Sequence, residues 1–251
     1  GAVSYLYYAD RIYQINLAIA GIAVGTVSLP ALSKAFKIKD LSKVSNIQNK
    51  SIELSLLFSI PASVGLVIAA EEIVSALFGY GSFTTKDIEM TSMALTFFGY
   101  GVVAFALIKI LANFFFARNN TKTPFYISTF VVMLNILISV IFFNSLGFLI
   151  IPIATSISTW VGIIVYMYLL KNEHILILQK KLYYNTFKIL ISSIIMFFVL
   201  ELGLEKYSNY LEYEYTYKSV YLISIVGFAG AVYLLSCYLF GLLKIKNFKT
   251  N

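Results

Sequence analysis

Apolar residues fall into seven long stretches along the chain, roughly 12–33, 54–70, 91–116, 124–144, 147–170, 186–204 and 219–243. A helix needs about 20 residues, and at least about 17, to cross a hydrocarbon core of ~30 Å. The stretches run without period-2 alternation, which argues against a β-barrel. Backbone groups in lipid must be satisfied within the segment, so continuous apolar runs of this length predict helices. The pattern therefore predicts an all-α polytopic membrane protein with seven transmembrane helices.

The polar connections carry a second pattern. Segment 34–51 holds Lys34, Lys37, Lys39, Lys43 and Lys50 against Asp40, net +4. Segment 71–90 holds Glu71, Glu72, Asp87 and Glu89 against Lys86, net −3. Segment 117–123 is net +2, the connection near 145–147 is uncharged, and 171–188 is net +3. Segment 201–218 is net −2, and the tail (Lys244, Lys246, Lys249) is net +3. Basic and non-basic connections alternate throughout. Basic loops lie in the cytoplasm, which predicts an external N-terminus, a cytoplasmic C-terminus and an odd number of spans.

Composition agrees. Of 251 residues, 59% are hydrophobic and 12% charged, against about 45–50% and 25% in soluble domains. Mean hydropathy is +0.83. A soluble enzyme, a disordered chain and a disulfide-built secreted domain are all excluded. A net charge of +7 would suggest nucleic acid in a soluble protein. Here the charge sits in alternating loops, and no nucleic-acid partner is expected. Cys237 and His174, each alone of its type, provide neither a disulfide nor a Cys/His metal cluster. The chain opens on Gly1-Ala2-Val3-Ser4-Tyr5, with no basic-then-apolar leader. It reads as part of a longer protein.

The first span differs from the others. Steps of three and four from Ser4 give Tyr7, Arg11, Gln14, Ala18, Gly21, Gly25 and Ser28, which share one helical face. The outer half of that face is polar and the inner half small. Leu6, Ile12, Ile19, Ile22 and Leu29 lie opposite. Arg11 has two readings: an interfacial anchor paired with Asp10, or an anion-binding group facing a wet cavity. The polar stripe supports the second, and a guanidinium fork suits a phosphate. Lys109 lies within the third span, between Phe105 and Asn113 at steps of four. It is either a functional cation or a lysine snorkelling to the inner boundary. Asn135 and Ser139 on the fourth span read as an interhelical hydrogen-bond pair. Glu53 reads as a helix-start carboxylate, Gly79-Tyr80-Gly81-Ser82 as an external turn, and the tyrosines of 207–217 as an interfacial belt. No Ser/His/Asp set, embedded carboxylate pair, HExxH or CxxC occurs, so a transporter is expected rather than an enzyme.

Three stretches resemble one family. Tyr8-Ala9-Asp10-Arg11-Ile12-Tyr13-Gln14, followed by Gly25-Thr26-Val27-Ser28-Leu29-Pro30-Ala31-Leu32-Ser33, is similar to the eighth span of MurJ/MviN lipid II flippases of the MOP exporter superfamily. Phe78-Gly79-Tyr80-Gly81-Ser82-Phe83-Thr84 resembles that family's F-x-x-G-x-F-T. Ala117-Arg118-Asn119-Asn120-Thr121-Lys122-Thr123-Pro124 resembles its A-R-x-D-x-K-T-P. Asn16 stands where the family usually has Pro, Ala18 where it has Gly, and Asn120 where it has Asp. Asn135 and Ser139 lie where some members place a sodium site, and no acid stands beside them.

The resemblance implies spans 8–14 of a fourteen-span protein. Residues 1–170 would form a five-helix lobe, and 171–251 two additional helices that help form a groove for a lipid tail. It implies lipid II (undecaprenyl-diphosphate-linked disaccharide-pentapeptide) as substrate, moved to the outer leaflet by alternating access. The setting would be the bacterial inner membrane, and the partners the bilayer and the other half of the same protein. Arg11 matches a cavity arginine of the family. With Ser4, Asp10, Gln14, Asn16, Lys109 and Asn113 it forms the expected substrate-binding set, without metal or cofactor. An exporter of another lipid-linked oligosaccharide, a drug antiporter of the same superfamily and a scaffold for cell-wall enzymes remain as alternatives.

Overall fold

The computed structural model describes residues 1–243; Lys244, Lys246 and Lys249 of the basic tail lie outside the described residues. Every regular element among those described is helical. The chain opens with one continuous helical run from Ala2 to Lys37, made of α1 (Ala2–Leu17), a π-helical segment (Ala18–Ala23) and α2 (Val24–Lys37). A turn at Lys39 leads to α3 (Leu41–Ile68), whose N-cap Asp40 accepts from the Lys43 amide at 2.9 Å. That contact satisfies an orphan donor of the first turn.

The expected solvated loop at 71–90 contains regular structure. Helix α4 (Ala70–Phe78) carries Glu71 and Glu72 in its first turn, where carboxylates suit the helix dipole. Helix α5 (Thr85–Gly99) starts at a capping box between Thr84 and Asp87. Glu72 is half-buried, and its Oε2 has no hydrogen-bond partner among the described residues. Burial pushes its carboxyl above the ordinary carboxylate range; its own backbone N–H opposes this and the Glu71 carboxylate adds to it.

The third apolar stretch is broken. Helix α5 and helix α6 (Val102–Phe116) meet at an angle of 42°. The break exposes carbonyls that a straight helix would pair internally. Ser156 Oγ donates to the Phe97 carbonyl at 2.7 Å, Ser63 Oγ to that of Gly99 at 2.7 Å, and Trp160 Nε1 to that of Tyr100 at 3.0 Å. Neighbouring helices thus supply the partners that an apolar medium cannot.

Helix α7 (Lys122–Leu146) follows, then α8 (Ile150–Asn172), the two divided at Gly147, whose φ is 58°. They pack on each other. Asn135 Nδ2 donates to Thr155 Oγ1 at 2.9 Å across this pair. Helices α9 (Lys180–Lys206) and α10 (Lys218–Leu239) form a second packed pair, with α9 also against α3. Among the described residues, five helical runs are long and apolar enough to cross a membrane, and six when the bent α5–α6 pair is counted as one. The run from Lys122 to Asn172 enters that count as one, at 51 residues.

Two buried clusters hold the bundle. The larger joins α3, α6, α8, α9 and α10 around Ile110, Leu111, Phe114, Phe115 and Tyr166. The smaller joins α1, α4, α5 and the start of α6 around Ala9, Ile12, Val74, Leu95 and Phe98. In lipid, close packing and side-chain hydrogen bonds hold helices together in place of the hydrophobic effect. Small buried serines, Ser55 and Ser59 on α3 and Ser192 and Ser193 on α9, suit such close packing.

Candidate substrate-binding face

One face of α1 is fixed by aromatic packing. Tyr8 lies on Phe78 and Phe83, with ring centroids at 4.7 and 5.5 Å. Tyr13 lies on Phe98 and Phe105 at 4.7 and 5.2 Å. Tyr5 Oη donates to Asp87 at 2.9 Å, and Ala9 and Ile12 are buried between these anchors. Positions 5, 8, 9, 12 and 13 follow the helical period, so the opposite face is turned outward.

That outward face carries Ser4, Tyr7, Arg11 and Ile15, all exposed. The Arg11 guanidinium lies 4.7 Å over the Tyr7 ring, and its Nη1 donates to Gln14 Oε1 at 3.5 Å. Gln14 Nε2 in turn donates to the Asp10 carboxylate. Asp10, Gln14 and Arg11 thus form one linked polar group. Gln14 holds the carboxylate, and Arg11 stacks on Tyr7 away from it. Arg11 remains exposed, so its guanidinium is accessible to an anion. Asn16 is half-buried one turn inward.

The inner half of the predicted stripe departs from this face. Gly21, Gly25 and Ser28 are buried against the bundle. Ser28 Oγ donates to the Gly25 carbonyl at 3.2 Å, and Asn113 Nδ2 to the same oxygen at 3.1 Å. Alternating steps of three and four drift by ~20° per seven residues around an α-helix. The π segment, with its wider i→i+5 turn, lies between the two halves. Arg11 and Gly25 therefore face different surroundings.

Lys109 is exposed and lines a cavity of 440 Å³ with Ile22, Thr26, Asn113, Ser128 and Tyr166. Asn113 meets Gly25, so Lys109, one turn earlier on α6, stands near the level of Gly21. That is ten residues inward from Arg11, about 15 Å along the axis. Of the seven expected binding residues, Asp10, Arg11 and Gln14 come together and Ser4 and Asn16 flank them. Lys109 and Asn113 belong to a separate surface, and the Asn113 amide is engaged with the α2 backbone.

The sequence profile described as "Lipid II flippase MurJ" matches residues 1–226. This chain belongs to the lipid II flippase MurJ family. A probable lipid II flippase MurJ of Rickettsia prowazekii (strain Madrid E) is 35% identical over 242 residues, covering 94% of this chain and 48% of that protein. One from Rhizobium meliloti (strain 1021) is 40% identical over 162 residues, covering 64% of this chain and 30% of its own length. The solved structure "Lipid II flippase MurJ, inward closed conformation" superposes with a TM-score of 0.79 at 28% identity, covering 96% of this chain and 47% of that one. The chain spans about half the length of the curated relatives it matches over most of its own length. As a MurJ-family chain with helices long and apolar enough to span a bilayer, it is a multi-pass membrane protein.

Sequence reasoning missed two features of this MurJ-family bundle. Lys218, counted with the outer loop, is 1% exposed, with Nζ donating to the carbonyls of Gly79 and Tyr213 at 2.7 and 2.8 Å. The second is a cavity with a basic wall where the end of α2 meets the starts of α3 and α9. Its only sequence signal was the lysine density of segments 34–51 and 171–188, which the loop rule had already absorbed.

Proposed function

We propose that this chain supplies one lobe of a flippase that carries undecaprenyl-diphosphate-linked disaccharide-pentapeptide from the inner to the outer leaflet of the bacterial inner membrane by alternating access. Arg11 binds the diphosphate at the outer flank, with Gln14 and Asp10 setting its position and Ser4 and Asn16 beside it. The observation that carries this reading is the exposed Arg11, held against Tyr7 and Gln14 on a helix whose other face is locked by Tyr5, Tyr8 and Tyr13. A second lobe, from the remainder of a longer protein, closes the cavity that Arg11 faces.

In this reading the chain crosses the membrane seven times, because α7 and α8 pack as two antiparallel crossings on either side of Gly147. Its N-terminus is outside and its C-terminus cytoplasmic, from the charge alternation. Residues 1–170 form the lobe. Residues 171–251 add a helix pair, which with α3 borders an apolar cavity of 1000 Å³ suited to an isoprenoid chain. Rocking of the two lobes moves the site between leaflets.

The test is exposure of lipid II at the outer face in cells that depend on the full-length protein. Arg11→Ala abolishes exposure, and Arg11→Lys retains part of it as a point charge without the fork. Normal export by Arg11→Ala removes this residue from the mechanism.

A further inference from the structure

Two cavities meet on α3. The first, of 830 Å³, is bounded by α2, α3 and the start of α9, and its polar wall includes Lys43, Asn46, Lys50, Glu53, Gln179 and Lys181. The second is the apolar cavity beside α10, walled by Leu57, Pro61, Met196, Gly227, Gly230 and Leu234 among others. Lys50, Glu53, Leu54 and Phe58 border both. A chamber with a basic wall and an otherwise apolar lining thus adjoins a second, largely apolar one.

The polar wall is built by a specific set of contacts. Asn49, 5% exposed, donates through Nδ2 to the Ile177 carbonyl at 2.8 Å and accepts from the Gln179 amide at 3.0 Å. Gln179 Nε2 donates to Asn46 Oδ1 at 2.8 Å. These bonds pin the segment before α9 against α3 and bring Lys181 to the chamber that Lys43 and Lys50 already line. Glu53 is the one acid in that wall. Its Oε1 lies 3.3 Å from Lys50 Nζ, and its Oε2 accepts from Asn185 Nδ2 at 2.8 Å. Three lysines against one glutamate leave the lining two positive charges in excess, one for each phosphate of a diphosphate diester.

We propose that this chamber is an intake site for a polyprenyl diphosphate, distinct from the Arg11 site. Lys43, Lys50 and Lys181 hold the diphosphate, and Glu53 is the internal counter-ion of Lys50 that the incoming phosphate displaces. The inference rests on the flippase reading above and deepens it. Ala31, on the chamber wall, and Arg11 lie twenty residues apart on one continuous helical run, about 30 Å, which is close to the thickness of the hydrocarbon core. The far end of the run that carries Arg11 thus borders a chamber whose cations stand on α3 and α9, so the substrate meets positive charge where it enters and again where it leaves. Lysine suits intake, since a flexible point charge releases its ligand more readily than a bidentate fork.

The experiment measures binding of undecaprenyl diphosphate to the purified full-length protein in nanodiscs, with phosphatidylglycerol as the competing anionic lipid. Lys43→Ala/Lys50→Ala/Lys181→Ala weakens undecaprenyl diphosphate binding about ten-fold or more. The corresponding triple Arg variant restores binding, which separates loss of charge from loss of fold. Glu53→Gln, which removes the competitor of Lys50, tightens it. Binding unchanged by the triple Ala variant but lost in Arg11→Ala overturns the intake site and leaves the flippase reading intact. Equal displacement by phosphatidylglycerol overturns it in favour of a general anionic-lipid surface. Absence of undecaprenyl diphosphate binding to the unmodified protein overturns both readings.

Discussion

Lys218 Nζ donates to the Gly79 carbonyl at 2.7 Å and so fastens the start of α10 to the turn that ends α4. Two tyrosine rings enclose the same ammonium, Tyr80 at 4.5 Å and Tyr213 at 4.7 Å. Tyr213 Oη donates to the Phe83 carbonyl at 2.8 Å, and Phe83 packs on Tyr8 of α1. The last helix is thereby joined to the first through one buried cation and one aromatic cluster.

Removing that cation leaves two carbonyls without their donor. Hydrogen bonds from charged groups contribute about 1.5–3 kcal/mol each, so Lys218→Met destabilises the bundle clearly, while Lys218→Arg retains part of the stability. The buried thiol of Cys237 offers a direct readout, because its labelling by a thiol-reactive dye during heating follows unfolding. The Met variant labels at a lower temperature than the Arg variant. Coincident curves would show that the ammonium is not a fastening.

Gly25 is constrained by its neighbour. A Cβ there would lie 2.8 Å from Asn113 Nδ2, the atom that donates to the Gly25 carbonyl. Gly25→Ala must displace the amide and lose the bond, worth about 0.6–2 kcal/mol between membrane helices. Asn113→Ala loses the same bond without the clash. The double variant is therefore less destabilised than the sum of the single changes, and a thermal double-mutant cycle measures the difference. Additive effects would mean that the two residues do not share this contact.

Glu72 predicts a pH dependence of stability. Its folded-state pKa is raised above the unfolded value of about 4.3. Below that pH both states hold the proton and burial has no charge to penalise. As the pH rises above it, the folded state bears a cost that the unfolded state avoids. Glu72→Gln cannot titrate. Its melting temperature relative to the unmodified protein should be level near pH 4 and rise in favour of Gln toward neutrality. A difference independent of pH would show that the carboxyl is not held out of water.

Much of this architecture was legible from local pattern. The apolar stretches follow from bilayer thickness, which acts on every residue without regard to its partners. The polar group around Arg11 was legible for the same reason, since Asp10, Arg11 and Gln14 are neighbours on one turn. What escaped depends on distant residues. Lys218 reads as a loop charge until Gly79 and Tyr213 are placed around it. The burial of Gly21 and Gly25 depends on a π segment that no residue between Ala18 and Ala23 announces. The chamber at Lys50 depends on Asn49 holding Ile177 and Gln179, more than a hundred residues away in sequence.

The bend between α5 and α6 constrains how this lobe can move. Straightening it would pair the backbone oxygens of Phe97, Gly99 and Tyr100 within the helix and take them from Ser156, Ser63 and Trp160, leaving three side-chain donors without acceptors in an apolar surrounding, at roughly 1–3 kcal/mol for each. The crooked span is therefore a stiff strut that ties its two flanking helices into a single frame, and in the alternating-access cycle proposed above that frame would turn whole.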